Sequence, residues 1–264
     1  MRSYALLAVA CAAVPLSSPS IAHAGDAIDL QIGGAAVVAP KYEGSKEYEI
    51  RGFPILAPAG SATGDDGVVQ VRGVDDFRLR AFNFNGFEAG PLAGYRFSRD
   101  ESDGDRLDGL GDIDGGVVIG AYAAYSFSSI KPFVSYHYAV TGDDTGGLLR
   151  FGAETRWPVT SAIAITVVAG ATYADSSYTD AYFGISEEQA ARSVAGLSQF
   201  DADAGIKDVY LNLSTAIPLT DVWSLKLSGR YSHLLGDAAD SPIVETESQF
   251  SGVVGLTYRF SIDR

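Results

Sequence analysis

Apolar and polar residues alternate with a period of two along most of the chain. In the segment 223–232, tryptophan, leucine, glycine and tyrosine alternate with serine, lysine and arginine. The segments 76–81, 149–157 and 209–219 repeat the pattern. Strict alternation predicts β-strands with one apolar and one polar face. Only residues 186–195 have the composition of a helix.

Turn residues divide this pattern into antiparallel strands. The alternation predicts twelve strands, near 27–39, 46–57, 67–73, 76–84, 87–98, 116–127, 131–141, 147–158, 162–174, 203–218, 222–234 and 249–260. If residues 67–84 form one strand rather than two, the alternative is ten strands. An even number of strands predicts that both chain termini lie on the periplasmic side of a membrane barrel.

The pattern fits either a soluble sandwich or a transmembrane barrel, and three features favour the barrel. The strands are about ten residues long, enough to cross a bilayer at a tilt. Aromatic residues such as Tyr95, Trp157, Trp223 and Tyr258 stand near strand ends, as in interfacial girdles. Tight turns alternate with long polar loops. The predicted fold is therefore an all-β, transmembrane, antiparallel up-and-down β-barrel.

Composition agrees with a membrane β-protein. The 264 residues are 47% hydrophobic and include 30 glycines, 14 tyrosines and 13 phenylalanines. A mean hydropathy of +0.09 excludes a bundle of transmembrane helices. The formal net charge of −14 makes nucleic acid an unsuitable partner. A single cysteine excludes a disulfide framework.

The N-terminus has the organisation of a secretory signal peptide. Arg2 precedes an apolar stretch at 5–14, and Ala22-His23-Ala24 forms an A-x-A cleavage site. We expect cleavage after Ala24. Residues 1–24 are thus predicted to be the signal peptide and residues 25–264 the outer-membrane barrel domain, which places the protein in the bacterial outer membrane.

Several loop segments carry a more specific pattern. Their characteristic residues are Pro40, Tyr42, Gly44, Ser45, Gly109, Gly111, Asp112, Asp114, Tyr173, Asp175, Tyr182, Phe183, Gly184, Gly236, Asp237, Asp240, Ser241 and Pro242. The stretch from Gly236 to Val244 and the segment from Tyr182 to Ile185 are the most specific. Together these segments resemble the MipA/OmpV family of outer-membrane proteins.

The resemblance implies a non-enzymatic protein without a cofactor. Resemblance to MipA-like members implies a scaffold that links a lytic transglycosylase with a bifunctional murein synthase. A lytic transglycosylase is a murein hydrolase. OmpV-like members imply adhesion or an osmotic response. The expected partners are outer-membrane lipid and lipopolysaccharide, together with the two murein enzymes. A porin-like channel for small solutes and a surface adhesin are the alternatives.

Candidate chemistry is sparse in the predicted mature chain. Ser135 and His137 share one strand face, but side chains two residues apart are expected roughly 6–7 Å apart, too far for a nucleophile and its base. Neither His137 nor His233 stands in a cluster with metal-ligand spacing. Residues 99–114 contain seven acids, but their spacing does not match an EF-hand loop. We therefore expect a solvated loop there, with weak divalent bridging to lipopolysaccharide as the alternative.

Charged residues on the polar strand faces are predicted to line the barrel lumen. They are Arg78, Arg80, Glu88, Arg96, Arg150, Glu154, Arg156, Lys226 and Arg230. Such a set could form the charge filter of a pore. It could equally fill a narrow lumen with ion pairs, since about twelve strands enclose little space. The sequence leaves both interpretations open.

Overall fold

A computed structural model describes residues 28–58, 68–143 and 145–262. The predicted signal peptide and its cleavage point at Ala24 lie outside these residues. The predicted extent of the barrel domain, 25–264, stays a prediction at both ends.

The described chain forms thirteen strands, three short α-helices and one 3-10 helix at Glu101–Asp103. The strands are β1 (Ile28–Pro40), β2 (Tyr48–Pro58), β3 (Val69–Gly73), β4 (Asp76–Leu79), β5 (Phe82–Phe84), β6 (Phe87–Arg96), β7 (Gly116–Tyr125), β8 (Ile130–Ala139), β9 (Gly147–Pro158), β10 (Ala164–Ala174), β11 (Gly205–Pro218), β12 (Trp223–Leu234) and β13 (Ser248–Ile262). The helices are α1 (Ser176–Phe183), α2 (Glu187–Arg192) and α3 (Gly236–Asp240).

All strands belong to one antiparallel sheet with up-and-down topology. The hydrogen-bonded order is β2-β1-β13-β12-β11-β10-β9-β8-β7-β6-β4-β3, and β5 also pairs with β6. The first and last strands are neighbours, with Leu30 opposite Phe260 and Val38 opposite Gly252. The predicted all-β, antiparallel, up-and-down architecture is confirmed.

The two faces of the sheet differ in polarity. Outward-facing apolar side chains are well exposed, for example Ile50 at 77% and Leu56 at 71%. Inward-facing positions hold buried polar or charged side chains, including Arg78, Glu88 and Glu154. Within the part of the chain that the structure describes, each helix is too short or too polar to cross a membrane.

The number of strands differs by one from the prediction because the predicted strand 76–84 is interrupted. Phe77 pairs with Ala93, whereas Phe82 pairs with Ala89, so the register changes by one residue between them. The interruption lies opposite Gly90 and Pro91, and Pro91 has no N–H to donate to a ladder. β4 and β5 therefore share one position beside β6 in the strand order. The thirteen strands occupy twelve positions in the sheet.

Gly90 is required by this interruption. A Cβ atom at residue 90 would lie 1.8 Å from the carbonyl oxygen of Leu79. We expect Gly90→Val to lower the free energy of unfolding by about 2–3 kcal/mol, because backbone atoms must shift to admit the side chain. Urea unfolding in lipid vesicles measures this change. Gly52→Val is the matched control, since no atom lies within 4 Å of its Cβ position. Equal losses in both variants would contradict the explanation.

Candidate functional site

The loops at the two ends of the sheet differ in length, as predicted. Two short turns at one end are built alike: the hydroxyl oxygens of Thr160 and Thr220 each accept a hydrogen bond of 3.0 Å, from the N–H groups of Ile163 and Trp223. The long loops 97–115, 175–204 and 235–247 lie at the other end and carry the three α-helices and the 3-10 helix. Helix α2 lies in the predicted helical segment, whereas α1 and α3 have only eight and five residues and show no helical stripe in the sequence.

The long loops pack into a compact cap with its own apolar core. One cluster of buried residues consists of Ile113, Leu148, Ala174, Tyr178, Tyr182, Phe183, Ala202, Leu234 and Ala238. A second consists of Tyr42, Leu107, Leu110, Ile185 and Ile243. Because the loops 41–47, 97–115, 175–204 and 235–247 all contribute to these clusters, they form one layer over the end of the barrel. We call this layer the cap.

Four loop segments with the family pattern contact one another in the cap. The hydroxyl of Ser241 donates to the carbonyl oxygen of Phe183 at 2.6 Å. The Tyr42 hydroxyl lies 3.4 Å from the carbonyl oxygen of Ile243. The side-chain amide of Gln189 donates to the carbonyl oxygen of Leu110 at 2.7 Å. Segments far apart in the sequence are thus joined by hydrogen bonds to backbone carbonyl oxygens.

Local backbone geometry explains several residues of the pattern. Gly44 has a φ of +96°, and a Cβ there would lie 2.6 Å from a methyl carbon of Val244. Asp175 caps α1 by accepting from the N–H of Tyr178 at 2.9 Å, and it also accepts from the N–H of Gly147 at 2.7 Å. These contacts fix the shape of the loops. None of the contacts named here joins two groups that could take part in a chemical reaction.

The remaining residues of the pattern lie in or beside the cap. Asp112 accepts from the N–H of Glu101, and Asp237 accepts from the N–H of Asp203. Ser45 is buried, Tyr173 faces outward from β10, and Gly109 lies against the carbonyl oxygen of Arg192. The others stand at loop or strand ends, namely Pro40, Gly111, Asp114, Gly184, Gly236, Asp240 and Pro242.

Most of the predicted lumen charges are paired inside the barrel. Arg78 donates to both carboxylate oxygens of Asp76 at 2.7 Å and lies over the ring of Tyr122. Further ion pairs join Lys131 with Glu88, Arg80 with Glu88, Arg72 with Glu154, Arg150 with Asp75, and Arg230 with Asp208. Lys226 donates to Gln31 at 2.8 Å, and Arg96 donates to the carbonyl oxygen of Thr145. Arg156 is exposed near the short turns.

The turn between β3 and β4 folds against the inner side of the sheet. A Cβ at Gly94 would lie 2.4 Å from the Cα of Asp75, so only glycine admits this approach. From there Asp75 contacts Arg150 on β9, four places away around the sheet. Sequence reasoning missed Asp75 because it belongs to a turn, and it placed Asp76 in the alternating segment 76–81 without counting it among the lumen charges.

Lys207 and Asp208 were also missed. They are consecutive, yet both are buried and pair at 2.6 Å. Strict alternation would turn one of them outward, but the pairing of β10 with β11 shifts register at Thr172 and Tyr173. A β-bulge of this kind brings both side chains to the same side.

Stacked aromatic and cationic groups join the cap to the barrel. The rings of Tyr178 and Tyr182 stack at 4.5 Å. The guanidinium of Arg96 lies 4.8 Å from the Tyr178 ring, and that of Arg99 lies 5.9 Å from the Tyr182 ring. Burial raises the pKa of the Tyr178 hydroxyl well above its usual value and lowers the pKa of Arg99. The stack fixes α1 against the end of β6.

The expected separation of Ser135 and His137 was wrong. The His137 Nε2 atom lies 3.0 Å from the Ser135 hydroxyl oxygen, because the two side chains lean towards each other along the strand. The other ring nitrogen, Nδ1, lies 3.1 Å from the carbonyl oxygen of Asp75. The Asp76 carboxylate is 3.9 Å from Nε2, the nitrogen already bound to serine. Since both side chains are almost fully buried, the pair supports the β3–β4 turn.

The described residues contain no group of three or more histidine, cysteine or acidic side chains that could hold a metal ion. His233 lies at the cap end of β12, where it contacts Ser248 and Glu247.

A curled antiparallel sheet with an apolar outer face and a charged inner face defines the class of outer-membrane β-barrel proteins. The family model described as "MltA-interacting protein MipA" matches residues 32–260, and the chain therefore belongs to this family. The predicted membership of the MipA/OmpV family and the predicted outer-membrane location are confirmed.

Curated relatives have the same location in their names. The chain is 33% identical to "Putative outer membrane protein YiaT" of Escherichia coli (strain K12) over 99 residues, or 37% of this chain and 39% of that protein. It is 30% identical to "Outer membrane protein OmpV" of Vibrio cholerae over 95 residues, or 35% and 34%. It is 26% identical to "MltA-interacting protein" of Escherichia coli (strain K12) over 140 residues, or 50% and 54%. The matches thus span about a third to a half of these relatives.

Solved barrels are similar at low identity. The translocator domain of the autotransporter NalP from Neisseria meningitidis matches with a TM-score of 0.42 and 11% identity, covering 90% of each chain. The NanC porin matches with a TM-score of 0.39 and 8% identity, covering 87% of this chain and 98% of that one.

Proposed function

We propose that this protein is a non-enzymatic scaffold of the outer membrane that holds a murein hydrolase and a murein synthase together. The observation that carries the proposal is the pairing of inward charges: ion pairs join distant strands on the inner face, and the cap lies over one end of the sheet. A barrel built in this way offers its surfaces rather than an open path. The relative named "MltA-interacting protein" supports binding of a murein enzyme.

The short turns are the surface we propose for these enzymes. If both chain termini lie on the periplasmic side, the short turns face the murein layer. Val159 and Leu219 stand on two of these turns and are exposed apolar residues. A docking partner that removes these apolar side chains from water would gain a favourable apolar contact.

A pull-down from solubilised envelopes tests the scaffold. We expect the full chain to capture a lytic transglycosylase and a murein synthase. We expect Val159→Glu/Leu219→Glu to reduce capture about fivefold, since charges weaken an apolar contact. The matched control is Val194→Glu, because Val194 is exposed on the cap at the opposite end. Absence of both enzymes from the wild-type capture would refute the scaffold, and loss only in the control would place docking on the cap.

Planar-bilayer recording tests the channel alternative. Because the lumen is crossed by paired charges, we expect folded wild-type protein to produce no regular conductance steps. Reproducible steps that scale with protein concentration would favour the porin-like function.

A further inference from the structure

Arg230, on the inner face of β12, has a guanidinium that makes no hydrogen bond to any residue that the structure describes. Its ion-pair partner is Asp208, but the nitrogen and the carboxylate oxygen are 3.7 Å apart, beyond hydrogen-bond distance. That carboxylate is already occupied. Lys207 donates to one oxygen at 2.6 Å, and the hydroxyl of Thr172 donates to the other at 3.1 Å. The N–H donors of Arg230 are therefore left for an acceptor from outside the chain.

An aromatic platform holds this guanidinium in place. Its central carbon lies 3.9 Å from the centre of the Tyr210 ring. The ring in turn lies against Gly170 on the neighbouring strand, where a Cβ atom would be 2.8 Å from the tyrosine hydroxyl oxygen. Only glycine therefore lets the ring lie along the inner face of the sheet. A guanidinium stacked on a ring keeps its donors in its own plane, in the geometry that a partner with two coplanar oxygens requires.

The surroundings of Arg230 are accessible and rich in donors. Its side chain is 34% exposed, so solvent reaches it. Asn212 stands directly opposite on β11, and its carboxamide oxygen accepts a hydrogen bond of 3.1 Å from the Ser228 hydroxyl. That bond uses the acceptor of the amide and leaves its NH₂ group to donate. A ligand beside Arg230 thus meets donors from two neighbouring strands.

A second cation lies on the same face of β12, nearer the short turns. Lys226 donates to the carboxamide oxygen of Gln31 at 2.8 Å. Within residues 28–58, 68–143 and 145–262, no ion pair joins Lys226 to an acid. Its charge is therefore not neutralised by a contact, and it attracts anions towards this part of the inner face.

We propose that Arg230 is the anion-binding residue of a site for a small organic monocarboxylate on the inner face of the barrel. A carboxylate presents two coplanar oxygens to the guanidinium fork, and its single charge matches the single guanidinium on the platform. A phosphate dianion requires a second cation close by, but Lys226 reaches towards β1, on the opposite side of β12 from Tyr210. This inference goes beyond the proposed scaffold function and does not depend on it.

Fluorine NMR of the detergent-folded full chain with sodium trifluoroacetate tests the proposal. We expect wild-type protein to broaden the trifluoroacetate signal in a saturable manner. We expect Arg230→Gln to bind about fivefold more weakly, because glutamine is polar but lacks the charge and the fork. Arg192→Gln is the matched control. It removes the same charge from an exposed residue of the cap, whose Nε atom donates to the carbonyl oxygen of Glu188. We expect the control to bind as wild type does.

A heat-modifiability gel confirms that each variant is folded. If Arg230→Gln fails to fold, Arg230→Lys takes its place with an expected loss of about threefold, since lysine keeps the charge but binds as a point charge. Absence of saturable broadening in wild type, or equal binding by wild type and the folded variant, would overturn the proposal. An equal loss in Arg192→Gln would also overturn it, because binding would then follow net charge. Stronger displacement of trifluoroacetate by inorganic phosphate than by acetate, at equal ionic strength, would overturn the choice of a carboxylate.

Discussion

Asp76→Ala lowers the free energy of unfolding by about 3–5 kcal/mol. Asp76 and Arg78 are both buried inside the barrel, and the carboxylate receives two hydrogen bonds of 2.7 Å from the guanidinium. Removing the carboxylate leaves the guanidinium between the rings of Tyr122 and Phe133 without its charge partner. A buried unpaired charge costs far more than the pair contributes over apolar residues. Urea unfolding in vesicles measures the loss.

A double variant separates the cost of the unpaired charge from a general loss of packing. In Asp76→Ala/Arg78→Met the buried charge is absent, and we expect most of the lost stability to return. If the double variant is as unstable as Asp76→Ala, the ion pair is not the cause. Asp221→Ala serves as the matched control, because Asp221 is an exposed residue of a short turn. We expect that change to stay within about 0.5 kcal/mol of wild type.

Phe183→Ala opens the cap while the barrel remains folded. Phe183 is 0% exposed and lies in the larger apolar cluster of the cap. Truncating a buried phenylalanine costs about 3–5 kcal/mol. The cap packs on the strand ends rather than within the sheet. We therefore expect the substitution to lower the free energy of local opening of the cap. Hydrogen exchange of the α1 and α3 amides measures it.

The comparison variant for Phe183→Ala is Val194→Ala. Val194 belongs to the same cap but is 71% exposed, so its truncation should change stability by no more than about 0.5 kcal/mol. Faster exchange throughout strands β9 to β12 in Phe183→Ala would mean that cap and barrel unfold together, contrary to this expectation.

The architecture was predictable from the sequence because strand alternation is a local property. Each outward residue must meet lipid and each inward residue must meet other polar groups, so the period of two appears in every spanning segment. The same reasoning placed Arg78, Glu88 and Glu154 inside the barrel. The predicted continuity of the strand failed at Arg80 and Ala81, where the ladder beside Gly90 and Pro91 is interrupted, although Arg80 still pairs with Glu88.

The candidate site was predictable only as a set of segments. The loop segments with the family pattern could be recognised, but nothing local shows that Ser241 donates to Phe183 or that Gly44 lies against Val244. Such contacts join residues that are 58 or 200 positions apart in the sequence. Whether these residues meet depends on the order of the strands around the sheet. The stacking of Arg96 and Arg99 on two tyrosines also depends on the order of the strands around the sheet.

By itself, the sequence determined that the chain forms an outer-membrane barrel of antiparallel strands and which face of most strands is polar. Only the tertiary structure decided which of the charged side chains on those polar faces meet one another. The difference has a physical reason. Alternation reports the environment of one residue at a time, whereas ion pairing across a lumen requires partners such as Asp75 and Arg150 to meet from strands four places apart.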